Sequence, residues 1–71
     1  MHIIYVNGDD WVGLYANGKL VMEGHEIQPM ELLEWLVGSG QTIAKVESVE
    51  PDMDWLADRG SFPNDYADVV L

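Results

Sequence analysis

Trp11-Val12-Gly13-Leu14-Tyr15-Ala16-Asn17-Gly18-Lys19-Leu20-Val21-Met22-Glu23 is the stretch that decides the fold. Asn-Gly is the preferred pair for a two-residue type I′ turn, because both central positions need positive φ and these two residue types tolerate it. The flanks are β-branched, aromatic or aliphatic, so the stretch predicts a hairpin with Asn17-Gly18 at its tip. With that tip, Ala16 faces Lys19, Tyr15 faces Leu20, Leu14 faces Val21, Gly13 faces Met22 and Val12 faces Glu23.

Upstream, His2-Ile3-Ile4-Tyr5-Val6 has the same strand composition and is broken by Asn7-Gly8-Asp9-Asp10. A four-residue turn there sets Val6 opposite Trp11 and Ile3 opposite Leu14. One face of the resulting meander carries Ile3, Tyr5, Val12, Leu14 and Val21. The other carries Ile4, Val6, Trp11, Tyr15, Leu20 and Met22. An antiparallel sheet with one wet side alternates apolar and polar residues, so two apolar faces require two covers.

Pro29 suits a first helical position, with Gln28 as a weak cap and Ile27 and Leu32 spaced for a hydrophobic staple. The periodicity predicts Met30, Leu33, Leu36 and Val37 on the buried face, bordered by Leu32 and Trp35, with Glu31 and Glu34 in water and Gly38 as the stop. Thr42 to Val49 reads as a fourth strand in which Val46 and Val49 are out of phase, which predicts a bulge or an early end. Asp52 can cap a short helix running through Asp58, with Gly60 ending it. Trp55, Leu56, Phe62, Tyr66 and Val69 then supply the second cover. The expected fold is one small α+β domain over residues 1–71: an antiparallel β-meander packed on one α-helix, with a fourth strand and a short C-terminal helix.

The charge bounds the partners. The chain has 13 acidic and 3 basic residues among 71, a formal net charge of −10, with the acids spread from Asp9 to Asp68. Direct nucleic-acid binding needs clustered Lys and Arg to neutralise phosphates, and Lys19, Lys45 and Arg59 are scattered. A basic protein surface, including one that normally holds nucleic acid, is the natural complement. No apolar run approaches membrane-spanning length and no N-terminal stretch reads as a signal, so a soluble cytoplasmic protein with no membrane partner is expected. The aromatic and β-branched content argues for a folded chain despite the charge.

No pattern of catalytic or cofactor chemistry emerges. Cysteine is absent, and His2 and His25 lack a third nitrogen or sulfur ligand to complete a zinc site with them. Asp52, Asp54 and Asp58 lack the alternation and central glycine of a calcium loop, and acids at a helix start favour the helix dipole. The glycines form neither a dinucleotide fingerprint nor a phosphate loop. A non-enzymatic protein with no metal or cofactor is expected. Its candidate partner-binding residues are Asp9, Asp10, Glu23 and Glu26, on turns and strand ends of the hairpin, with Trp11 and Trp55 divided between core and interface anchor. For the acids the competing reading is a solvated rim; Trp35 is assigned to the core.

Tyr5-Val6-Asn7-Gly8-Asp9-Asp10-Trp11-Val12-Gly13-Leu14-Tyr15, followed by Asn17-Gly18-Lys19-Leu20-Val21 and the Pro-led helix, resembles small acidic proteins of bacteriophages and other mobile elements. The resemblance covers the first half of the chain and transfers no catalytic residue. It implies an inhibitor of host defence, of the anti-restriction or anti-CRISPR kind that imitates the charge of DNA. The expected function is therefore an acidic module that docks on a basic surface and blocks it. The alternative is an accessory subunit that forms a homo-oligomer through the second apolar sheet face.

Overall fold

The computed structural model describes residues 1–71 and is α+β. Strands β1 (His2–Asn7), β2 (Val12–Ala16) and β3 (Lys19–Gly24) form the meander, helix α1 (Pro29–Ser39) follows, and β4 (Lys45–Val49), helix α2 (Met53–Arg59) and a 3₁₀ turn (Tyr66–Asp68) complete the chain. The sheet order is β3-β2-β1-β4, with β4 parallel to β1. Only a crossover can join β3 to a parallel strand on the far side of β1, and α1 is that crossover.

The hairpin tip is as the sequence predicts. Asn17 and Gly18 have φ of 51° and 82°, the two positive values of a type I′ turn. The Asn17 side chain also ties the tip to β1, its Oδ1 accepting from the His2 amide at 2.9 Å while the Asn17 amide donates to the His2 carbonyl at 2.9 Å. The pairing holds at Ala16–Lys19 and Tyr15–Leu20 and then shifts by one, so that Leu14 faces Met22, Gly13 faces Glu23 and Val12 faces Gly24. One extra residue in β3 opposite Leu14 is a β-bulge. It turns both Val21 and Met22 to the α1 side, where both pack, and it brings Glu23 round to the other face. The first turn also differs: β1 runs to Asn7, opposite Val12, and Ile3 faces Ala16. A slip of two residues leaves each side chain on its expected face.

Both faces are covered from within the chain. On one, Ile3, Leu14 and Ala16 are buried beneath Ile27, Leu32, Trp35 and Leu36. On the other, Ile4, Val6 and Tyr15 are buried with Leu56 and Phe62, flanked by Trp55, Tyr66 and Val69. The sheet face through which an accessory subunit would self-associate is thus occupied by α2 and the segment after it.

Three expectations about α1 and β4 are corrected. The buried side of α1 is Leu32, Trp35 and Leu36, whereas Met30, Leu33 and Val37 are 63%, 53% and 83% exposed. The apolar arc of α1 is wider than the strip of sheet beneath it, so Leu32, Trp35 and Leu36 pack on the Ile3, Leu14 and Ala16 cluster and the rest of the arc faces out. Gly38 lies inside the helix, which ends instead at Gly40, with φ of 66° and its amide donating to the Val37 carbonyl. Strand β4 is shorter than expected and pairs with β1 without a bulge. Val46 and Val49 are out of phase because they serve opposite faces, Val46 beside Ile3 on the α1 side and Val49 packed on the α2-side core.

Tyr15 is fully buried, and its hydroxyl donates to the Pro63 carbonyl at 2.6 Å. Burial, assisted by the Glu23 charge, pushes the phenol from 10.0 up to about 12. Between those two pH values the unfolded chain releases a proton that the folded chain keeps, so stability falls as pH rises through the window. Tyr15→Phe is expected to cost about 1 kcal/mol at neutral pH through the lost hydrogen bond, and to flatten the alkaline fall of the urea midpoint. An alkaline slope unchanged by the substitution would assign the fall to other groups.

Candidate partner-binding site

The β1–β2 connection, the β3–α1 loop and α2 converge on an open cleft of about 590 Å³ lined by Asn7, Gly8, Asp9, Asp10, Trp11, His25, Glu50, Met53, Leu56, Ala57 and Gly60. Its construction begins in the first turn. The Gly8 amide donates to the Trp11 carbonyl at 2.9 Å, and Asp9 takes φ of 70° with its amide on the Asn7 side-chain oxygen at 3.2 Å. Asp tolerates this left-handed conformation better than most residues, which accounts for an acid at the tip. Both Asp9 and Asp10 are exposed, and neither is in an ion pair.

Trp11 forms one wall and is held on two sides. Its indole Nε1 donates to Glu23 Oε1 at 2.8 Å, and its ring meets the His25 ring edge-on at 5.0 Å between centroids. The His25 Nδ1 lies 3.1 Å from the Asp10 carbonyl, an acceptor only, so this nitrogen carries the proton. The same Glu23 oxygen accepts from the Phe62 amide at 3.0 Å. Glu23 therefore fastens the cleft wall to the loop after α2, a role made available by the bulge in β3. On the far side α2 starts where Asp52 Oδ1 accepts from the Trp55 amide at 2.9 Å and ends at Gly60, with φ of 79°. That orientation places Met53, Leu56 and Ala57 toward the cleft and Trp55 on the core.

Of the residues singled out from sequence, Asp9, Asp10 and Trp11 line the cleft and Glu23 stands behind its wall. Glu26 accepts from the Gln28 side chain just before α1 and is not part of the lining, and Trp55 is half-buried against the α2-side core. His25, Glu50 and Met53 also line the cleft: His25 follows directly on β3, which pairs with the Trp11 end of β2, whereas Glu50 and Met53 come from the segment that the β4 crossover brings beside the first turn.

The electrostatics are one-sided. Of the 13 acids only Asp65 and Glu47 lie within ion-pair distance of a Lys or His, through Lys19 for the first and Lys45 and His2 for the second. The cleft mouth carries Asp9, Asp10 and Glu50 and neither Lys nor Arg. A long cationic side chain fits such a lining, its stem against Trp11, Met53 and Leu56 and its charge at the carboxylates. No helix is long and apolar enough to cross a membrane. Neither a protein-family model, nor a curated protein, nor a solved structure matches the chain.

Proposed function

We propose that this protein is a non-enzymatic, acidic binding module that docks on a basic surface of a partner protein and blocks it, the partner being one that normally holds nucleic acid. The supporting observation is the cleft: three carboxylates with no paired cation around an apolar wall and floor, on a chain of net charge −10. The broad acidic field speeds encounter, and an Arg or Lys of the partner seated against Trp11 supplies specificity. Blocking follows from charge, because a surface occupied by carboxylates cannot hold phosphates at the same time. An inhibitor of a host-defence nuclease or its targeting complex is the biological form of this reading.

The test is competition. The protein should displace DNA or RNA from its basic partner, and the displacement should weaken as salt rises, since opposite charges are screened. Asp9→Asn combined with Asp10→Lys should slow association about tenfold or more, while Asp54→Asn with Asp58→Asn changes it little. Asparagine is the right replacement at position 9, since it tolerates the positive φ there. Binding that ignores both salt and the first pair of substitutions would defeat the proposal.

A further inference from the structure

The two edges of the sheet are not equivalent. The outer edge of β3 is engaged at its start by the chain itself, where the Leu20 amide donates to the Asn64 carbonyl at 2.8 Å and the Tyr66 amide donates to the Gly18 carbonyl at 2.9 Å. The outer edge of β4 has no such neighbour. Beside it lies apolar surface. Val46 is 65% exposed on the α1 side, because α1 packs over β1, β2 and β3 and stops short of β4.

The exposed stripe of α1 runs along this same flank. Trp35 lines a hollow with Ala16 and Val21, on the β2–β3 side of the helix. Leu36 is the other edge of the packed arc, so it leans toward β1. At about 100° per residue, Leu33 and Val37 lie beyond Leu36, on the side of α1 that looks over β4. Met30 extends the same stripe by one turn.

The charges on β4 select what can pair with its free edge. Lys45 and Glu47 flank Val46 and share the opposite face, Lys45 Nζ standing 3.2 Å from Glu47 Oε1 and His2 Nε2 standing 2.8 Å from Glu47 Oε2. The sequence Lys45-Val46-Glu47 is its own complement when reversed. Antiparallel pairing of two such strands about Val46 sets each Lys45 across from the other strand's Glu47, whereas centring on Glu47 sets two carboxylates directly opposite, which is unfavourable. The rotation that relates the strands is perpendicular to the sheet, so both Val46 side chains and both α1 helices fall on one face. There the stripes of Leu33 and Val37 face one another across a floor made by the two Val46 side chains.

We propose that this chain forms a two-fold symmetric dimer through antiparallel pairing of its β4 edges about Val46, with reciprocal Lys45–Glu47 ion pairs and the two Val46 side chains side by side on the α1 face. The proposal does not depend on the cleft or on the partner-blocking reading. The experiment is sedimentation equilibrium from micromolar to millimolar protein. The wild-type chain should dimerise reversibly. Val46→Lys, a change at an exposed position, should weaken the dimer at least tenfold with the circular dichroism spectrum retained. Lys45→Glu and Glu47→Lys should each be monomeric alone, and an equimolar mixture of the two should form a heterodimer, because the mixed strands are complementary again. A wild-type chain that stays monomeric at millimolar concentration, or a dimer indifferent to Val46→Lys, or a mixture that fails to associate, each overturns it.

Discussion

Phe62→Ala is expected to remove about 3–5 kcal/mol of stability, the usual cost of deleting a buried aromatic ring and leaving a cavity. A domain of this size is held by roughly 0.05–0.15 kcal/mol per residue, so the loss should leave a large unfolded population at room temperature. Phe62 is buried against the α2 side of the sheet, where its ring meets Tyr15 edge-on at 6.4 Å between centroids. The site is shaped for it: a Cβ on Gly13, in the middle of β2, would come within 2.6 Å of the Phe62 ring. The backbone at Gly13 is therefore in contact with the ring, and a glycine has no side chain of its own to fill the vacated space. Leu33→Ala, by contrast, should change stability by no more than about 0.5 kcal/mol in dilute solution, since that side chain faces out. Urea denaturation of the two variants checks both values. A Phe62→Ala loss no greater than that of Leu33→Ala would mean that the α2-side core does not hold the sheet.

The contrast between those two residues marks how far sequence reasoning reaches. Asn17-Gly18 fixed the hairpin because the conformational demand of a type I′ turn is local, met by two adjacent residues whatever the rest of the chain does. Two apolar faces implied two covers, and both exist. The bulge was not legible, because Val21 and Met22 are equally apolar and nothing in their order says which of the two faces Leu14. Its consequence was hidden with it: Glu23 read as a rim acid because in a regular hairpin it lies across from Val12, whereas the extra residue sets it across from Gly13, on the Trp11 side. Helical periodicity found the apolar arc of α1 but could not choose which half of it meets the sheet. That choice is made by the sheet residues it packs on, Ile3, Leu14 and Ala16, which come from β1 and β2. The cleft was half legible for a related reason. Asp9, Asp10 and Trp11 are neighbours in the chain, while Glu50 and Met53 arrive only through the parallel placement of β4 beside β1.

Gly8→Ala should destabilise the fold by about 1–3 kcal/mol or more, as overpacking does, and should do so through the cleft. Gly8 is buried, and a Cβ there would overlap both the Leu56 side chain and the Trp11 carbonyl oxygen. The second overlap is with backbone, so no rotamer change relieves it. Either the turn opens, breaking the bond from the Gly8 amide to the Trp11 carbonyl, or α2 moves away with Leu56. Both outcomes shift Asp9 and Asp10 relative to Met53 and Glu50, so near-ultraviolet circular dichroism should change along with the urea midpoint. Gly38→Ala is the control: it lies within α1, has no negative steric contact within 4 Å and lacks a positive φ. That change should stabilise the chain by about 0.5–1 kcal/mol, the helix-propensity difference between the two residues. If Gly8→Ala were as benign as Gly38→Ala, the first turn and α2 would not be in contact in solution. The cleft would then have no fixed width, because Leu56 is at once part of the buried core and the floor against which the acidic turn is set.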